Sequence, residues 1–128
     1  MSHITKVKTR LKDEDVLKFV LEKTGFKLNR RGSTSRINGT GRDVTVEFTA
    51  AGDGQIIGFR RSKADDGYFE ILADWNVGKK KREEILNRIY QAYSSEKVIR
   101  SARLKGYSVI TNRTNMNGQV EIVLRKVA

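Results

Sequence analysis

The chain has 128 residues, of which 38% are hydrophobic and 32% are charged, and its net charge is +11. This length fits a single domain, residues 1–128, and the lack of cysteine excludes disulfides, thiolate zinc sites and cysteine catalysis. No apolar run is long enough to span a membrane, and the N-terminus lacks the apolar stretch of a secretory signal. We therefore expect a cytoplasmic protein without a membrane partner.

Alternating side chains predict a first strand over residues 4–11, with apolar Val7 and Leu11 on one face. A row of basic side chains falls on the other face: Lys6, Lys8, Arg10 and Lys12. Residues two apart on a strand lie about 6.6 Å apart, close to the phosphate spacing of an extended nucleic-acid strand, so the row would suit a phosphate backbone. The alternative is a sheet edge that lysines protect from aggregation.

A helix is predicted to follow, because Asp13 is a typical N-cap residue and Gly25 suits a left-handed helix end. Further strands are predicted over residues 26–30, 43–49, 55–61 and 68–75, separated by turns rich in Gly and Asp. Strands that are joined by tight turns are antiparallel.

A flexible basic loop is predicted near residues 29–42, where Gly, Ser, Thr and Asn are frequent and acids are absent. Its arginines are Arg30, Arg31, Arg36 and Arg42. Guanidinium groups, hydroxyls and free backbone amides all suit phosphate oxygens. The Gly-Lys-Ser/Thr ending of a nucleotide-binding P-loop is missing. The alternative is a solvated loop without a ligand.

The helical spacing of Ile85, Leu86, Ile89 and Tyr93 predicts a long second helix over residues 78–105, with these side chains in its core stripe and the pair Ser94–Ser95 as a point where it would break in two. It opens with four cations: Lys79, Lys80, Lys81 and Arg82. Cations oppose the dipole at a helix N-terminus, which suggests contact with an anion, although a solvated helix start is also allowed. A hairpin of residues 107–111 and 119–126 ends the chain.

These elements predict an α+β fold in the order β-α-β-β-β-β-α-β-β. The simplest way to bury both helical stripes is an antiparallel sheet with the two main helices packed on one face. The charge is divided along this order: residues 1–42 carry +7, residues 43–77 carry −4, residues 78–106 carry +6 and residues 107–128 carry +2.

The aromatic residues are few, and we expect most of them in the core. The alternative is a stacking platform for bases, formed by Phe59, Tyr68, Phe69 and Trp75 on neighbouring strands. Trp75, beside Asp74 at a strand end, would either close the core or anchor a protein partner. No catalytic residue, metal site, cofactor or small-molecule substrate is evident. The only histidine is His3, and carboxylates that would converge on one sheet face lack a histidine or metal partner.

The sequence resembles the uncharacterised domain-of-unknown-function family twelve-fifty-seven, known from cyanobacteria, plastid genomes and some large bacteriophages. The resemblance lies in the opening residues 1–5, the strand containing Gly58–Phe59, the segment 72–74, the long helix, and residues 106–109. It covers nearly the whole chain, and residues 31–42 are the main difference. The resemblance implies no activity and no catalytic residues. Some relatives are encoded near an AAA-type ATPase, which implies a protein partner, and the range of sources adds plastid stroma or host cytoplasm as locations.

We therefore expect a non-enzymatic protein that binds RNA or DNA mainly through phosphates. The residues expected to bind are Lys6, Lys8, Arg10, Arg30, Arg31, Arg36, Arg42, Lys79, Lys80, Lys81 and Arg82. The alternative is a protein-interaction adaptor or assembly component. It would use the acidic strands and Trp75, and its basic surface would dock an acidic partner.

Overall fold

The computed structural model describes residues 4–29, 35–39, 42–64 and 67–127. These contain two helices, α1 (Glu14–Lys23) and α2 (Lys79–Leu104). They also contain nine strands: β1 (Ile4–Lys8), β2 (Lys27–Asn29), β3 (Ser35–Gly39), β4 (Arg42–Val46), β5 (Phe48–Gly52), β6 (Gln55–Arg61), β7 (Phe69–Asp74), β8 (Tyr107–Thr114) and β9 (Val120–Lys126).

Local chemistry fixes the ends of α1 as the sequence predicts. The Asp13 carboxylate accepts a hydrogen bond from the backbone N–H of Val16 at 3.2 Å, so it caps the first turn. Gly25 has φ of 100°, a left-handed conformation that suits glycine after a helix end. The chain then turns directly into β2.

The main sheet has five antiparallel strands in the order β1-β7-β6-β5-β2, so β1 and β2 are its edges. Its register places Phe48 opposite Phe59, and Phe59 opposite Ile71. These side chains share one sheet face and are buried with the apolar stripes of both helices in one core cluster. Burial of each such side chain contributes about 1.5–3 kcal/mol, so this face provides most of the apolar stabilisation.

The β3–β4 hairpin forms a separate two-stranded sheet and lies against the other face of the main sheet. β3 contacts β5, β6 and β7, and Val46 at the end of β4 is buried with Leu72 of β7 and half-buried Ile4 of β1. We call this side of the main sheet the open face, because neither described helix packs on it and only the β3–β4 hairpin covers part of it. The helices occupy the opposite face of the sheet.

The last hairpin also forms a sheet of its own. β8 and β9 pair with each other and contact α2, and the register shifts between Val109 and Thr111, where Ile110 is an extra residue. The side chains of Val109, Val120 and Ile122 are half-buried, whereas most of the hairpin is exposed. The hairpin therefore extends the α2 layer and leaves the main sheet unchanged.

The structure confirms the predicted α+β fold, with an antiparallel sheet and both helices on one face. It differs in detail. The strand predicted over residues 43–49 is interrupted at Glu47, and residues 35–39 of the predicted loop form β3. The predicted break at Ser94–Ser95 is wrong, because α2 is continuous there. Arg30 and Arg31 lie outside the described residues, as do His3 and part of the turn after β6. Neither described helix is long and apolar enough to cross a membrane.

Candidate functional site

The predicted row of cations begins on β1, at the edge of the main sheet. Lys6 and Lys8 are exposed, and alternation along β1 places both on the open face. The Lys6 ammonium lies 4.0 Å from a carboxylate oxygen of Glu70, whereas Lys8 forms no ion pair with a described residue. The row is therefore only weakly neutralised by the protein itself.

The row continues beyond the end of β1, which stops at Lys8 and not at residue 11 as predicted. The Thr9 hydroxyl donates to the backbone carbonyl of Phe69, and the backbone N–H of Phe69 donates to the carbonyl of Leu11 at 2.7 Å, so this segment stays bonded to the start of β7 without regular strand pairing. Arg10 and Lys12 remain exposed. The Arg10 Cζ atom lies 5.7 Å, and the Lys12 Nζ atom 5.3 Å, from the centre of the Tyr68 ring. Cation–π attraction of this kind is weak at exposed sites, about 0.5–1 kcal/mol, so both cations stay available to an anion.

The β3–β4 hairpin carries two of the predicted binding residues to the open face. Arg36 pairs with Thr45, and Arg42 pairs with Gly39 at the hairpin end. Because β3 contacts β6 and β7, and β1 pairs with β7, the hairpin backbone lies on the face to which Lys6 and Lys8 project. The side chains of Arg36 and Arg42 are outside the described residues.

The cations at the start of α2 lie elsewhere. Lys79, Lys80 and Lys81 are exposed, Arg82 is half-buried, and none of the four forms an ion pair with a described residue. Four residues separate the end of β7 from the start of the helix, which lies at the Ile4 end of β1 and belongs to the layer that covers the opposite sheet face. The structure therefore does not bring these residues together with the β3–β4 hairpin.

Three acids of the acidic strands are held by neighbouring groups. Arg60 donates to Glu70 at 3.1 Å, Arg88 pairs with Asp53, and the Glu47 carboxylate accepts from the backbone N–H of Arg61. Burial raises the pKa of Glu70, but hydrogen bonds from Arg60 and Ser62 and the charge of Lys6 outweigh it, so its pKa is below the ordinary value. Glu70 is therefore a paired carboxylate.

Most of the aromatic side chains named as a possible stacking platform lie in the core, as expected. Phe59 and Phe69 are fully buried, and their rings meet edge to face at 6.4 Å between centres. Trp75 is half-buried and packs against the main core. Asp74 is half-buried at the end of β7, opposite Ile4. Tyr68, between Arg10 and Lys12, is the one partly exposed ring of the predicted platform that adjoins the row.

A cleft that the sequence did not reveal lies beside the row, between the end of β1 and α2. Its volume is about 460 Å³, and it is lined by Lys8, Thr9, Arg10, Leu11, Tyr90, Tyr93 and Ser94. The Tyr93 hydroxyl accepts hydrogen bonds from the backbone N–H groups of Lys12 and Asp13, which fixes the helix against the chain after β1. The helical spacing of Tyr93 predicts that it is buried in the core stripe of α2, but this spacing does not indicate that a cleft lies beside it.

The described residues contain no arrangement typical of a catalytic or metal centre. Glu47 and Glu70 line one cleft of about 670 Å³ together with Arg60 and Ser62, but each carboxylate is held by hydrogen bonds from its neighbours. No three His, Cys, Asp or Glu side chains of the described residues are grouped so that they could hold a metal ion. The geometry of this cleft favours structural ion pairs.

Comparison with known protein families gives one match. A family model described as "Protein of unknown function (DUF1257)" matches residues 20–123. No curated protein and no solved structure matches the chain. The match includes α2, the cleft residues that it contributes, and the whole main sheet except β1.

Proposed function

The chain belongs to the DUF1257 family, and we propose that it is a non-enzymatic cytoplasmic domain that binds RNA or DNA through phosphates. One observation carries the proposal. Lys8 and Arg10 stand exposed on the β1 edge without an acidic partner among the described residues, while Glu70 of the neighbouring strand is paired with Arg60. Unneutralised cations that share an edge make a local positive field, which attracts a polyanion.

The geometry of the row adds a second support. Lys6 and Lys8 project from the same face of an extended strand, about 6.6 Å apart along the chain. An extended nucleic-acid backbone can follow such a row, and contacts to phosphate carry little sequence information. We therefore expect weak sequence preference and a steep dependence on salt.

The experiment is a salt titration of binding to fluorescent RNA and DNA of about 12 nucleotides, read by anisotropy between about 50 and 200 mM salt. The variant K6Q/K8Q/R10Q should reduce the slope of log affinity against log salt by about 2. The matched control is K105Q/R125Q/K126Q, which removes the same amount of charge from the end of α2 and from β9. It should leave the slope of log affinity against log salt largely unchanged. An absence of binding by the wild-type chain at low salt would refute the proposal.

The arginines of the predicted basic loop have their own test. Replacing Arg30, Arg31 and Arg36 by Ala should weaken binding to all sequences alike, because these side chains are proposed to contact phosphates. A triple variant that binds as the wild type does would remove this segment from the interface and leave the β1 row as the site.

A second candidate function is docking of an acidic protein partner, and the apolar surface of α2 and the last hairpin favours it. Leu104 is 90% exposed, Ile110 54% and Val127 58%. The cations around them, Arg103, Lys105, Arg125 and Lys126, would repel a second copy of the chain and attract acids. A pull-down from nuclease-treated lysate tests this: one protein should bind the wild type and not the variant I110D/V127D. Capture that is equal for both would exclude this surface.

A further inference from the structure

We propose that the cleft between β1 and α2 takes one unstacked base of a single-stranded nucleic acid whose phosphates lie along the β1 row. The inference rests on the proposed function and deepens it, because it names the class of nucleic acid and a subsite. The cleft has a basic rim, formed by Lys8 and Arg10, and an aromatic and aliphatic floor, formed by Leu11, Tyr90 and Tyr93.

The floor is apolar and fixed in place. Leu11 and Tyr93 are buried, and Tyr93 is tethered through its hydroxyl to two backbone N–H groups at 3.2 Å and 2.9 Å. Thr9 is held by its bond to Phe69. A floor with this many internal bonds does not need to be ordered when a ligand binds, which lowers the entropic cost of binding.

The rim is basic and belongs to the row. Lys8 and Arg10 line the cleft, and neither has an acidic partner among the described residues. A nucleotide whose phosphate contacts either cation therefore has its base within reach of the cleft. Phosphate binding alone would not need an apolar floor, whereas a base gains by covering one.

Tyr90 supplies the stacking surface. It is half-buried, packs against the main core, and lines the cleft from the α2 side together with exposed Ser94. An ordinary tyrosine phenol is protonated at neutral pH, and burial raises the pKa of Tyr90 further, so it can donate a hydrogen bond to a base. The volume of about 460 Å³ is within the usual range of small-ligand sites.

The same features exclude a duplex as the preferred ligand. In a duplex the bases are paired and stacked inside the helix, and a base reaches such a cleft only when it is flipped out, which costs a few kcal/mol. A single strand already offers unstacked bases. We therefore expect single-stranded RNA or DNA to bind more tightly than a duplex of equal phosphate number.

The experiment compares thymidine oligonucleotides of about 12 residues with abasic strands of the same length, so that phosphate number is equal. The wild type should prefer the base-bearing strand by about five- to hundredfold. Y90L and S94L should reduce this preference to less than about twofold without changing the affinity for the abasic strand. Y90F keeps the ring and should keep most of the preference. S94L changes an exposed residue, so it fills the cleft mouth without disturbing the core.

The outcomes separate this inference from the proposed function. If the wild type binds both strands equally, the phosphate contacts stand and the base subsite is wrong. If it binds neither, the proposed function itself fails. A preference that survives in Y90L and S94L places the base elsewhere. A glutamate–tyrosine copolymer that binds the wild type and not S94L, without discrimination between the strands, would assign the cleft to an acidic peptide and overturn the inference.

Discussion

Two neighbouring regions of the main sheet use basic residues in opposite ways. At the end of β6, Arg60 forms an ion pair with Glu70. The neighbouring Arg61 donates hydrogen bonds to two backbone carbonyls and lies over the ring of Phe69. On the β1 edge, Lys8 and Arg10 have no acidic partner among the described residues. The number of charges alone does not distinguish these regions. Their partners do, and the comparison predicts that β6 cations stabilise the fold whereas β1 cations bind ligand.

The largest expected effect is on stability, at Arg61. Its guanidinium donates from Nη1 to the carbonyls of Lys12 at 2.6 Å and Gly67 at 2.7 Å, and lies 4.1 Å from the centre of the Phe69 ring. R61A should lower the free energy of unfolding by about 2–3 kcal/mol, since two charge-assisted hydrogen bonds are lost. Urea denaturation measures this.

The matched variant is K8A, which should change the free energy of unfolding by less than about 0.5 kcal/mol. R61K provides a second control, because it keeps the charge but loses the planar guanidinium that bridges the two carbonyls. If K8A destabilised the protein as much as R61A, the division between stabilising and ligand-binding cations would be wrong.

Glu70 joins the two regions, because it accepts from Arg60 at 3.1 Å and its other oxygen lies 4.0 Å from Lys6. E70Q should cost about 1–2 kcal/mol of stability and should raise affinity for oligonucleotides a few-fold at low salt, since both cations lose their acid. D74N is the control on the same strand, because Asp74 forms no ion pair with a described residue. An unchanged affinity in E70Q would place Lys6 outside the binding surface.

The stability effect of Glu70 depends on pH in a defined direction. Its folded pKa is below the ordinary value of 4.5, because the bonds from Arg60 and Ser62 outweigh burial. Its contribution is therefore present above about pH 4.5 and is lost as the pH falls through the folded pKa. The difference in stability between the wild type and E70Q should shrink on acidification over that window, as measured by urea titration at each pH.

Much of this fold could be predicted from the sequence, because its periodic and capping signals are strong. Asp13 and Gly25 mark the ends of α1, and turns rich in Gly and Asp mark the limits of β6 and β7. The break at Glu47 escaped prediction because its carboxylate bonds to the backbone N–H of Arg61, a contact far along the chain. The continuity of α2 through Ser94 shows that tertiary packing outweighs the weak helix propensity of serine.

The candidate site was less predictable. The row on β1 follows from alternation, but its neighbours do not, because strand order and the placement of the β3–β4 hairpin depend on packing between distant segments. Sequence periodicity assigned Tyr93 to a core stripe correctly, yet it could not show that the helix leaves a cleft beside Arg10. Composition showed an acidic stretch, whereas the structure shows that Glu70 and Asp53 of that stretch are paired with arginines.

The smallest expected effect concerns the start of α2. Lys79, Lys80 and Lys81 are exposed there, without ion pairs to described residues, and no acid occupies the first turn. Cations oppose the helix dipole at this end, so K79Q/K80Q/K81Q should stabilise the protein by a few tenths to about 1 kcal/mol in low salt. Because this end lies in the helix layer and not beside the β3–β4 hairpin, the triple variant should reduce the salt slope of oligonucleotide binding less than K6Q/K8Q/R10Q does. An equal reduction would extend the binding surface around the β1 edge to the helix start, and charge density would then matter more than the partners of each cation.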